Sequence, residues 1–242
     1  MNSLIAASAA FFLIHAVVAG TKVRFWLVDK IGLKVYVPIF ATGSLAALWW
    51  MIDAYNNMSG AGLDAIWLSC PWGHYLTAVM MFPALLLVVV GLMTKSPTAM
   101  EQGALLDQRD IATGVLRVTR HPFLVGVALW AATHMVVISD PSSLVFFGTF
   151  LVVVVNGMRN IDRKRLHIHG DAWTAFAEQT SSVPFVAILQ GRNRLNWGEI
   201  GAVKILAGII TYLAIAGLHY WLFSAPTPLD PLFAPIADVL GR

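Results

Sequence analysis

Seven histidines are the side chains here best suited to chemistry, and two of them stand where an ionisable group is costly. His15 lies inside the apolar run that begins at Leu4, and His134 inside the charge-free run from Pro122 to Ile138. Ionisable residues at membrane depth are rare and usually functional. A neutral imidazole there either donates one hydrogen bond across a helix interface or binds a metal. For a single buried histidine the interface bond is the expected use. A pair on different apolar runs moves the expectation toward haem iron, which a helix bundle can hold with one histidine from each of two spans. Zinc would want more ligands close together.

His134 belongs to the most informative stretch, Gly114 to His134. Arg117 and Arg120 flank a Thr-Arg-His-Pro turn, and Pro122, with no N–H to lose at a first helical position, predicts a helix start. Phe123, Val127, Trp130 and His134 recur at helical spacing and share one face, with Ala131 beside them. His121 and His134 are separated by about 220° around that helix and roughly 20 Å along it, so one small group cannot be gripped by both. For Arg117, Arg120 and His121 the plainer alternative is a basic helix start that binds lipid phosphates.

Composition sets the class that must position these groups. Hydrophobic residues make up 58% of the 242, charged residues 12%, and the mean hydropathy is +0.72. Apolar runs near twenty residues recur, each able to cross a hydrocarbon core of about 30 Å. They are Leu4–Gly20, Leu33–Ile52, His74–Met93, Pro122–Ile138, Leu144–Met158 and Ile200–Phe223, which predicts an all-α, polytopic membrane bundle of about six helices. The first run lacks a preceding positive charge and is expected to stay as a helix rather than act as a cleaved signal. Residues 1–199 then form one membrane domain, five spans plus a cytoplasmic amphipathic segment over 161–199. Residues 200–242 add one helix and a Pro-rich tail.

Every Lys and Arg except Arg242 falls after the first run, between the third and fourth, or between the fifth and sixth, counting Lys34 and Lys204 in the first turns of the second and sixth runs, which makes those loops cytoplasmic and the termini non-cytoplasmic. The pI near 9.2 therefore reports topology and contact with anionic lipid, and nucleic acid is not needed to explain it. Trp173, Phe176 and Ala177 predict a helix lying on the membrane. Cys70, the single cysteine, excludes an intramolecular disulfide and any multi-cysteine metal site.

Depth separates the histidines. At 1.5 Å per residue, His15 lies roughly 13 Å above the cytoplasmic arginine level and His134 roughly 21 Å, a mismatch of about 8 Å. His219 comes out near the depth of His134 and is a rival ligand. His74, at the start of the third run, is a second rival near the outer interface. His167 and His169 are expected to be solvated.

At these residues the chain resembles the NnrU family, bacterial membrane proteins related to the plant zeta-carotene isomerase. The matching stretches are Gly114–His134, Trp67–His74 with its Pro71-Trp72-Gly73-His74, Asn156–Leu166, and Thr180–Arg192. The resemblance implies a multi-pass protein of the bacterial cytoplasmic membrane. It implies haem b held by His15 and His134, with His121, Arg120 and Trp130 as catalytic candidates and His74 also carried over. The activity it implies is cis–trans isomerisation of a polyene such as cis-zeta-carotene, with membrane lipid as the surrounding partner. The isomerase branch has a cysteine where Ala131 stands, and a methyl group cannot replace a histidine on iron. A second class is a haem-containing accessory or electron-transfer protein linked to denitrification. A third is an isoprenylcysteine-type methyltransferase, which shares the Arg-His-Pro turn but has a tyrosine where Leu124 stands and an acidic pair where Asp162-Arg163 is the nearest approach.

Overall fold

The computed structural model describes residues 1–58, 72–99, 102–107, 110–138 and 140–223, together with Thr227 and Leu229. Among the described residues every regular element is helical. The helices are α1 (Asn2–Leu13), continued by a π-helical turn (Ile14–Val18), α2 (Lys22–Ile31), α3 (Leu33–Asn56) and α4 (Gly73–Leu92). After a 3₁₀ turn (Gly103–Asp107) come α5 (Val115–Val118), α6 (Pro122–Val137), α7 (Pro141–His169), α8 (Asp171–Gln179), α9 (Val186–Leu189), α10 (Trp197–Ile200) and α11 (Ala202–Phe223).

Each of the six apolar runs lies on a helix. Four of these, α3, α4, α7 and α11, are long and apolar enough to cross a membrane. The first run and α2 form a pair bent by 77°, a fifth crossing if the pair is one span. The fourth run is α6, whose 16 residues rise about 24 Å and fall short of a full crossing.

The fifth run differs most from its expected bounds. Its apolar part ends at Met158, but with no proline or turn sequence after it α7 continues to His169, where Gly170 at φ +51° stops it. The 29-residue rod is about 43 Å long and carries its apolar and its charged halves as one element.

Packing order follows from residue size. α6 lies between α4 and α7, α11 covers the other side of α4, and α1 sits between α7 and α3. Glycine sets the closest crossing, as small residues do between helices in lipid. A Cβ on Gly126 would stand 2.6 Å from the Ala84 carbonyl oxygen, and one on Gly91 2.5 Å from the Phe123 amide nitrogen. The main core joins Leu4, Ala7 and Phe11 of α1, Met51 of α3, Ala131 of α6, and Phe146, Phe147 and Val153 of α7.

The helix expected to lie on the membrane is α8, and its apolar face is turned inward. Trp173 and Phe176 are buried against Leu106, Ala112 and Leu116, because the loop before α6 offers them an apolar partner within the chain. Cys70 and the tail beyond Leu229 lie outside the described residues.

Candidate functional site

The Arg-His-Pro turn is densely hydrogen-bonded. Pro122 takes the first position of α6, as its missing N–H predicts. His121 just before it is 2% exposed, and its Nε2 lies 2.7 Å from Asp162 Oδ1. The other carboxylate oxygen of Asp162 accepts from Arg120 Nε at 3.1 Å and from Ser182 Oγ at 3.2 Å. Arg120 also donates through Nη1 to the carbonyls of Ala177 and Thr180, and its guanidinium lies 5.9 Å from the centre of the Trp173 ring. Backbone bonds from Arg120 N to Ser181 O and from Phe185 N to Val118 O stitch the turn to the segment after α8. Because a carboxylate only accepts, His121 is fixed with Nε2–H toward Asp162. Its Nδ1 is enclosed, with no hydrogen-bond partner among the described residues.

Both arginines of the turn have partners within the chain. Asp162 and the last carbonyls of α8 take the donors of Arg120, a favourable place for a cation. Arg117 is held by Glu199, Nε to Oε2 at 2.7 Å and Nη2 to Oε1 at 3.0 Å. Glu199 Oε2 also accepts from Gly114 N at 2.8 Å, and Gly114 sits at φ +56° with its Cβ position 3.0 Å from the Glu199 carbonyl, so only glycine suits the place. The Arg117 guanidinium first, then the Gly114 amide, hold the Glu199 carboxyl down to about 2 from its ordinary 4.5. A depressed carboxylate contributes stability fully above its unfolded pKa and loses it as pH falls through the folded value. In detergent, the gap in thermal midpoint between wild type and Glu199→Gln should thus stay constant from pH 7 to about 4.5 and close as pH falls toward about 2. A gap that widens in acid would contradict the assignment.

His15 and His134 share one arrangement. Each bonds through Nδ1 to the carbonyl one turn back, His15 to Phe11 and His134 to Trp130, both at 2.8 Å. A carbonyl cannot donate, so Nδ1 carries the proton and Nε2 keeps the lone pair, the tautomer a metal ligand needs.

Their levels differ. His15 borders a cavity of about 170 Å³ with Val153, Val154, Gly157, Asn160 and Ile161 of α7, whereas the His134 ring stacks on Phe147 with centroids 4.7 Å apart. Val153, the cavity-lining residue of α7 nearest in sequence to Phe147, is about 9 Å from it along the helix, while two nitrogens on one metal stand roughly 4 Å apart, twice a metal–nitrogen bond. Between the two histidines, Phe11 meets Phe150 at 5.6 Å and Phe150 meets Trp130 at 5.1 Å. The structure does not bring the two rings together around one group. Singly each has the donor chemistry, and His15 lines the cavity just described.

Trp130 packs among Phe147, Phe150 and His134 as part of the aromatic core and does not line the cavity. His219 lies within electrostatic range of His134, its ring 5.0 Å from Phe223. The backbone of His74 is in the first turn of α4, and its side chain lies outside the described residues. His167 and His169 end α7, away from the cavity. The sequence reading left Asp162, Glu199, Asn160 and Lys164 without roles. The signal available for Asp162 was that it is the lone carboxylate in the basic run Arg159 to Arg165.

The family model for the NnrU protein matches residues 3–227, nearly the whole chain. The chain belongs to the NnrU family. Within the curated proteins this NnrU chain is similar to the chloroplastic 15-cis-zeta-carotene isomerases of Zea mays, 34% identical over 83 residues, and Arabidopsis thaliana, 31% identical over 83 residues. The matched stretch is 34% of this chain and 23% of the length of each relative. No solved structure matches it. Membership places the multi-pass helices and the Arg-His-Pro lock in one isomerase-related membrane family.

Proposed function

We propose that this chain is a cis–trans isomerase of a lipophilic polyene, working within the membrane. The observation that carries the reading is the half-open cavity beside His15, walled by Leu124 of α6 and Val153, Val154 and Ile161 of α7, which would take one segment of a longer polyene. The likeness to the two 15-cis-zeta-carotene isomerases supplies the substrate class. A conjugated hydrocarbon asks for apolar walls, which these side chains provide. Tied at Nδ1, the His15 ring can turn little and presents one open nitrogen.

Haem b belongs to the proposal with His15 as the protein ligand; bound there, its iron would supply a site able to interact with a double bond. The test is purified protein given a cis-carotenoid, with products separated by chromatography and the haem spectrum recorded oxidised and reduced. His15→Ala is expected to lose haem and at least tenfold in conversion, and His134→Ala to keep the spectrum. Loss of the spectrum in both variants would restore the two-histidine ligation that the family resemblance implies. A haem-replete wild type that converts no polyene would remove the isomerase reading.

The same reading takes all six runs as crossings, the short α6 by local thinning of the bilayer, with both termini on the non-cytoplasmic side, supported by the Lys and Arg distribution. Reporter fusions at Met58 are expected to read non-cytoplasmic and at Gln179 cytoplasmic. The opposite pattern would invert the topology.

A further inference from the structure

The cavity beside His15 is not apolar throughout. At its cytoplasmic end it is lined by Lys164 and Asn160 of α7 and by Ala19 and Gly20, where the chain turns from the π-helical segment into α2. Gly20 makes this end possible. A Cβ there would stand 2.2 Å from the Ala16 carbonyl oxygen and 2.6 Å from Asn160 Nδ2. The π turn has the same effect, since one extra residue per turn re-aims the backbone, and such turns concentrate at functional sites.

Lys164 is half-buried, unlike its exposed neighbours Arg159 and Arg163. Its ammonium has three N–H groups, and the bond formed among the described residues is one, to the Ala19 carbonyl at 2.8 Å. Arg165, also half-buried, donates to the Ala99 carbonyl at 2.6 Å, and Arg24 lies within electrostatic range of both. Among the described residues the ion pairs are Arg117–Glu199, Arg120–Asp162 and His121–Asp162, so this group of three cations has no carboxylate of the described chain within 4 Å. Partly buried like charges held together in this way disfavour the fold unless an anion joins them.

We propose that the cavity takes an amphiphile with an acidic group: the anion sits at Lys164, with Arg24 and Arg165 adding to the field, and the apolar body lies along Leu124, Val153 and Val154 toward His15. Two sources share this chemistry, an anionic membrane lipid and the carboxylates of a porphyrin. The inference shares its cavity with the proposed function but needs no isomerase activity.

The test uses the full chain purified in a neutral detergent, comparing wild type with Lys164→Gln, Lys164→Arg, Arg24→Gln and the control Lys204→Gln. Lys204 bonds Thr94 on the far side of α4 and lies outside the cluster. Glutamine at 164 keeps an N–H for the Ala19 carbonyl, so the fold is retained, and Arg24→Gln gives an independent reading should it not be. Probes are phosphatidylglycerol against phosphatidylcholine of the same chains, haemin against its dimethyl ester, and inorganic phosphate, each read as binding by native mass spectrometry or absorbance titration.

Lys164→Gln is expected to weaken one acidic amphiphile at least tenfold, with Arg24→Gln weakening it by a smaller factor. Lys164→Arg and Lys204→Gln should stay within about threefold of wild type. Preference for phosphatidylglycerol identifies a lipid site, and preference for haemin over its ester a porphyrin site. Equal binding by Lys164→Gln and wild type, equal binding of acidic and neutral forms, or equal affinity for inorganic phosphate alone would each overturn the proposal.

Discussion

Replacing Asp162 with alanine is expected to lower the thermal midpoint of the detergent-solubilised protein by about 6–12 °C. The carboxylate is the common partner of Arg120 and His121, the latter with a wholly buried side chain. Removing it leaves a guanidinium and an imidazole facing each other inside the protein. Breaking a buried ion pair from one side costs roughly 3–5 kcal/mol. Asp162 is 23% exposed, so the lower end applies, about 3 kcal/mol, which for a chain of this size corresponds to about 2–4 °C each. Arg120→Met combined with Asp162→Ala removes both charges and should recover part of the loss. An unchanged midpoint in Asp162→Ala would show that water screens the group and that the lock is not structural.

Gly126→Val should be worse, giving little folded protein at all. The new side chain would start 2.6 Å from the Ala84 carbonyl oxygen and 2.8 Å from the Val88 amide nitrogen, and backbone atoms of a helix cannot step aside as a flexible side-chain end can. α4 and α6 would have to separate along the closest crossing in the bundle, at a cost of roughly 1–3 kcal/mol or more, and α11, which rests on the other side of α4, would lose its seat. Gly43→Ala is the contrast. It lies in α3 with nothing within 4 Å, so it should be neutral or stabilising by up to about 1 kcal/mol. Recovery of folded protein after purification distinguishes them, and similar yields of the two variants would refute the close-packing argument.

The sequence was a good guide wherever a property is local. Apolar runs located the long helices within a few residues, because burying a backbone in lipid leaves helix as the main option. Pro122 marked the start of α6 for a stereochemical reason that holds in any surroundings. The two intramembrane histidines were visible as costly residues, and their mismatch in depth, about 8 Å from counting residues, reappears as their attachment to different levels of α7. What could not be read was partnership across the chain. Asp162 follows His121 by forty-one positions and Glu199 follows Arg117 by eighty-two, and nothing in residue type says that these meet. The end of the fifth run was misplaced for a related reason. Hydropathy reports where lipid stops, and a helix with no breaker in its sequence does not stop there. Trp173 and Phe176 show the same limit: an amphipathic pattern states that a face will be covered, but not by what.

The unbroken course of α7 has a mechanical meaning. Asp162, held by the Arg-His turn, and Asn160, Ile161 and Lys164, which line the cavity, sit within little more than one turn of each other on a rod with a single rotational setting. Turning that rod by a few degrees to suit a ligand at one side would pull on the carboxylate at the other. The Arg-His lock and the cavity are thus two readings of one dial, and neither can be reset alone.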